Sequence, residues 1–298
     1  MTGEVGTLPT RSTQARQLGI VIALSTAVLL VEVIGGLMSG SLALISDAGH
    51  MLTDVLALVL SLMAVRFASL PATLEKTYGY HRLEILTALV NGALLVVISA
   101  ALFYKAVLRF LHPQPVQGGL MTGVAMVGLA ANLAALAILS HRHQSLNIRG
   151  ARMHILGDAL SSVGVLLAGL AIAWTGWYRV DPLVGGIIAI VISVGAIRLV
   201  REAVDVLLEG APPGVLCEDV TTAIAGLPGI LEVHDLHVWS LTTGLPALSG
   251  HVRVDETRYA RSDETLNRIK QTVHERFGIV HTTLQIESRA YQELGDVH

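Results

Sequence analysis

Cysteine is almost absent from this chain: Cys217 is the single thiol in 298 residues. One thiol cannot close an intramolecular disulfide or build a Cys-rich metal knuckle. Charge is also scarce, at 14% Asp, Glu, Lys and Arg, against about 25% in an ordinary soluble domain. The 20 basic and 23 acidic residues leave a net charge of −3, so there is no electrostatic footprint for nucleic acid. Disorder needs low hydrophobicity and high charge, and here 52% of residues are hydrophobic. The polar opening MTGEVGTLPTRSTQAR lacks an apolar run with a cleavage site and does not read as a signal peptide.

What the chain has instead is uncharged apolar sequence, with a mean hydropathy of +0.62. Runs near 18–38, 42–65, 83–104, 119–139, 154–175 and 182–200 approach the roughly 20 residues that cross a bilayer. Six spans put both termini on one side. That side carries Arg11, Arg16, Arg66, Lys76, Arg82, Arg142, Arg149, Arg152, Arg198 and Arg201, and the other only Lys105, Arg109 and Arg179. The positive-inside rule then makes both termini cytoplasmic. Ser39-Gly40-Ser41 between the first two spans carries no charge and suits a tight external hairpin. Trp174, Trp177 and Tyr178 fit an interfacial aromatic anchor.

The composition changes after Leu208. APPG at 211–214 reads as a linker, and no later run is long enough to span. A short helix fits 215–226, strands fit 230–240 and 246–255, a helix with Leu266, Ile269, Val273 and Phe277 in register fits 262–277, and a strand fits 279–287. This αββαβ order predicts a small two-layer α+β domain with its helices on one face. The boundaries follow as an N-terminal tail over 1–16, a six-helix transmembrane domain over 17–208, a cytoplasmic α+β domain over 209–290 and a tail over 291–298. Trp239 is expected in the core of that sheet.

The chemistry lies in ionisable residues inside apolar runs, which are costly and mostly functional. The second span reads SLALISDAGHMLTDVLALVL and the fifth ARMHILGDALSSVGVLLAGL. Each holds H-x-x-x-D: His50 with Asp54, and His154 with Asp158. Spacing i, i+4 puts both side chains on one helix face, about 6 Å apart along the axis. Two such helices face to face offer two imidazoles and two carboxylates, a shell suited to tetrahedral Zn²⁺. Without metal, paired carboxylates in a low dielectric take up protons. Metal and proton therefore compete for the same atoms. A single His–Asp pair can be a plain helix–helix hydrogen bond, but packing alone has no reason to repeat the spacing in two spans. Asp47 is read either as a contact beside the site or as a helix-start residue. Glu32, Asn91 and Asn132 are read as interhelical hydrogen-bond partners, and His141 and His143 as part of a basic loop.

At these residues the sequence resembles the cation diffusion facilitator family of zinc transporters. GSLALISDAGHMLTD resembles its second-span signature, YGYHRLEIL the start of its third span, and HDLHVW with HTTLQIE its cytoplasmic domain. The resemblance implies a six-helix homodimeric transporter with a ferredoxin-like cytoplasmic domain, exporting Zn²⁺ in exchange for protons across the inner membrane. It carries the transport site over to His50, Asp54, His154 and Asp158, with His50 pointing to zinc over Cd²⁺. His81 matches a histidine of a loop metal site, whereas Leu74 and Thr77 stand where its other ligands would be. His234, His251, His281 and Glu287 match positions that bind zinc between protomers in some members, so Zn²⁺ is expected as substrate and as regulatory ligand. His237 is read as structural. The competing reading is an intramembrane zinc-dependent hydrolase, which needs an open coordination position and a Glu base. The sequence has no H-E-x-x-H, and transport without enzymatic activity is the expectation.

Overall fold

Once lipid replaces water, backbone amides in an apolar run have no partner except their own helix. The computed structural model describes residues 11–68, 72–140 and 146–291, except for the side chains of 11–21, 54, 57–68, 139–140 and 146–154. It begins with six long helices: α1 (Arg11–Ser39), α2 (Leu42–Ala68), α3 (Arg82–Leu111), α4 (Gly118–Ser140), α5 (Leu146–Thr175) and α6 (Val180–Leu207). Among the described residues, five segments are helical, long and apolar enough to cross a membrane: Ile22–Ser39, Arg82–Leu111, Gly118–Ile138, Ile155–Thr175 and Val180–Leu207. α2, the remaining long helix, has 27 residues and is about 40 Å long. His141, Arg142 and His143 lie outside the described residues.

The chain divides into two compact units, residues 1–60 with 90–199, and residues 61–89 with 200–298. In the first unit α2 is central. Its Ala43 and Leu44 pack with Met121 of α4 and Val165 of α5. Its Ala48 and Met51 meet Val28 and Leu29 of α1, and its Leu42 meets Leu102 and Ala106 of α3 and Ala189 of α6. Large apolar side chains such as Leu30, Val97, Leu160, Leu167 and Val191 stay exposed, as a lipid-facing surface requires. Trp174, Trp177 and Tyr178 are exposed at the end of α5 and just beyond it.

The second unit holds α7 (Cys217–Ala225), β1 (Ile230–Thr242), β2 (Leu245–Val254), α8 (Glu256–Tyr259), α9 (Ser262–Phe277) and β3 (His281–Ser288). The expected αββαβ order is present, with α8 as an added single turn capped by Asp255, which accepts from the Arg258 N–H at 2.7 Å. The sheet order is β1-β2-β3, with β1–β2 antiparallel and β2–β3 parallel. Val220 and Ile224 of α7 and Ile269 and Val273 of α9 cover Val238, Leu248, Val252 and Val254 on one face. The start of α3 joins this unit, because Thr242 donates to Glu84 Oε2 at 2.6 Å and Arg82 donates to Glu209 Oε1 at 2.8 Å. Trp239 departs from the expected core position. Strand alternation turns Val238 into the core, and Trp239 lines a cavity of about 440 Å³ with Tyr80, His81 and Glu209.

Candidate metal centre

Helix geometry decides what α2 and α5 can bring together. His50 Nε2 of α2 stands 3.7 Å from Asp158 Oδ1 of α5, with side chains 30% and 11% exposed. That separation is too long for a hydrogen bond. It is close to the roughly 3.3 Å between two nitrogen or oxygen ligands on one tetrahedral zinc. Three residues away on each helix, the Ser161 hydroxyl donates to Asp47 Oδ1 at 2.5 Å. The two contacts advance in opposite directions along the chain, so α2 and α5 run antiparallel here. Asp54 and His154 lie within α2 and α5, but their side chains are outside the described residues.

The structure separates the two readings of Asp47. It does not cap α2; it is buried and bonded to α5 beside His50. Asn132 makes the expected interhelical bond, donating to Ser162 Oγ at 3.4 Å. Glu32 and Asn91 depart from that expectation. Both are buried, and Glu32 Oε2 and Asn91 Oδ1 find no hydrogen-bond donor among the described residues.

A second group forms on the sheet face turned away from α7 and α9. His234 of β1 pairs in register with His251 of β2, and Arg253 with Glu287 of β3. Ligand atoms of His234, His251 and Glu287 all lie within 4.8 Å of one another, the one such group of three or more among the described residues. His251 Nδ1 is 3.1 Å and His234 Nε2 3.5 Å from the Glu287 carboxylate, which is 1% exposed. Gln285 donates to Glu287 Oε1 at 3.0 Å, and Arg253 Nη2 is 3.6 Å from Oε2. Two imidazoles and a carboxylate from three strands fit a zinc ion short of its fourth ligand.

A bulge follows this group in β1. The β1–β2 register slips between His234 and His237, where Asp235 adopts φ 48°. Gly250 opposite has no side chain to spare: a Cβ there would lie 2.8 Å from Leu236 Cδ1. The bulge re-aims the flanking side chains, and His237 pairs with Asp235 at 2.8 Å.

Two expected ligands stand apart. His281, at the start of β3, is exposed and meets the Tyr78 ring edge-on at 5.5 Å. His81 lines the cavity beside Trp239 and is outside the three-residue group. Ser161, Gln285, Arg253 and Asp181 carry contacts that the sequence reading missed. Ser161 offered a signal, one turn beyond Asp158 on the same helix face, and so did the Asp-Pro pair at 181–182 at a helix start.

The chain matches the family model for the cation efflux transmembrane domain over residues 18–208 and that for the cation efflux protein cytoplasmic domain over 212–289. It is 39% identical over 269 residues to a cadmium, cobalt and zinc/H(+)-K(+) antiporter of Bacillus subtilis (strain 168), covering 89% of this chain and 86% of that protein. It is 40% identical over 276 residues to the zinc transporter ZitB of Escherichia coli (strain K12), covering 92% and 87%. It is 40% identical over 273 residues to the metal cation efflux system protein CzcD of Cupriavidus metallidurans, covering 91% and 86%. These matches give the hydrolase reading no support. The chain belongs to the cation diffusion facilitator family of cation efflux transporters.

Proposed function

We propose that the protein is a secondary transporter that exports Zn²⁺ and related divalent metals from the cytoplasm in exchange for H⁺, by alternating access. His50, Asp54, His154 and Asp158 bind the transported ion. The observation that carries this reading is the 3.7 Å approach of His50 to Asp158 between α2 and α5. The antiparallel register that pairs 47 with 161 and 50 with 158 extends by one helical turn to positions 54 and 154. Facing the cytoplasm, deprotonated ligands take Zn²⁺; facing out, protons return to the same atoms and release it. The names of the relatives, zinc transporter and zinc/H(+)-K(+) antiporter, favour this substrate and coupling.

The surplus of Arg and Lys in the terminal loops favours an inner-membrane protein with both termini cytoplasmic. Residues 17–208 form its membrane part and 209–290 its cytoplasmic domain. That domain holds a regulatory Zn²⁺ through His234, His251 and Glu287. Three donors leave one zinc position open, and a second copy of the chain that fills it makes the transporter a homodimer.

The test is uptake into proteoliposomes in K⁺-free buffer, with a zinc dye and a pH dye inside. Zinc entry raises the luminal pH as protons leave. Asp158→Ala lowers both signals by more than about 100-fold, and transport that persists in the variant removes the assigned site.

A further inference from the structure

An acid from α6 reaches across to finish the start of α2. Asp181 is 0% exposed. Its Oδ2 accepts from the Leu42 N–H at 2.7 Å, and its Oδ1 accepts from the Ala43 N–H at 3.1 Å and the Ser41 hydroxyl at 2.6 Å. Ser41 Oγ accepts from the Leu44 N–H at 3.1 Å. The amides that a helix start leaves unpaired are thus satisfied, and the carboxylate faces the positive end of the helix dipole. α3 joins the same knot: Arg109 donates to the Gly40 carbonyl at 2.6 Å and lies 4.0 Å from Asp181 Oδ2. Gly185 of α6 sits against the α2 backbone, where a Cβ would lie 3.2 Å from the Ala43 nitrogen.

We propose that Asp181 is a positioning residue for transport: with Ser41 and Arg109 it pins the first turn of α2 to α3 and α6 throughout the cycle and so sets how near His50 comes to Asp158. Opening the knot would strand a buried carboxylate and several backbone N–H groups, so it stays closed while the helices around it move. His50 lies eight residues beyond Leu42, about 12 Å along the axis, so a tilt of about 10° carries it about 2 Å. Zinc coordination tolerates only about 0.2 Å. The inference rests on the transport site proposed above.

The test uses the full chain with Cys217→Ser, adding Ser41→Cys and Asp181→Cys, and a short bis-methanethiosulfonate reagent that ties the two thiols and is released by reductant. Zinc affinity at the transport site is measured on the monodisperse fraction in detergent, in a background whose His234→Ala and His251→Ala remove the cytoplasmic group, and transport in proteoliposomes. Untied, zinc binding weakens about tenfold and transport falls with it; tied, both return to within about threefold of the parent. Unchanged affinity in the untied protein overturns the proposal, and so does a tie that blocks transport, since that marks a gate and not a pivot. Should the double variant not fold, Asp181→Asn and Arg109→Gln each replace it, with the same weakening expected and unchanged affinity again overturning the idea. Asp158→Ala in the same background is the control. If it leaves zinc binding intact, the transport site itself is misassigned; if it abolishes binding while the untied variant binds like the parent, only the pivot fails.

Discussion

A carboxylate buried in an apolar helix must find donors or lose its charge. Asp47 is 2% exposed, and its described donor is the Ser161 hydroxyl on the facing helix. The sequence showed that Asp47 shares a face with His50, but nothing in α2 alone says which helix answers it. Ser161→Ala leaves the buried acid short of a donor and should cost about 1–3 kcal/mol, although His50 and Asp158 are untouched. Thermal unfolding in detergent, followed by tryptophan fluorescence, should show a lower midpoint. A midpoint equal to the parent's would mean that the contact contributes nothing.

At the scale of elements, the sheet shows where local pattern stops being informative. Alternation along 246–255 and helical spacing along 262–277 located β2 and α9 closely, because one face of each is buried and the period records it. The bulge at Asp235 left no such mark, since it depends on Gly250 of the neighbouring strand. The parallel β2–β3 register likewise depends on how α8 and α9 return the chain. That is why Gln285 and Glu287, and not His281, arrive beside His251 and Arg253. Arg253 brings a positive charge to within 3.6 Å of Glu287 and bonds to Glu232 on its other side, so it competes with a dication for the same carboxylate. Arg253→Gln should therefore tighten zinc binding at this site by about threefold to tenfold. Calorimetry on full-length protein carrying Asp158→Ala isolates the site, and equal or weaker binding would contradict the competition.

At the scale of the whole molecule, the arginine and lysine asymmetry makes a prediction about sidedness. Cys217 is exposed at the start of α7 and is the sole cysteine of the chain, so it is a built-in reporter. A membrane-impermeant maleimide should label it in inverted inner-membrane vesicles and leave it unlabelled in spheroplasts. The reverse pattern would place the sheet domain outside the cell.

Amino-acid order alone determined the six long helices, the αββαβ segment and the two i, i+4 His–Asp pairs, because hydropathy and periodicity are properties of one segment at a time. The tertiary structure decided which faces meet: His50 with Asp158, Asp47 with Ser161, Glu287 between two histidines, and Asp181 on the first turn of α2. Each of these contacts joins residues far apart in the chain. Their pairing is fixed by packing and by the need to satisfy buried charge, and no local pattern encodes either.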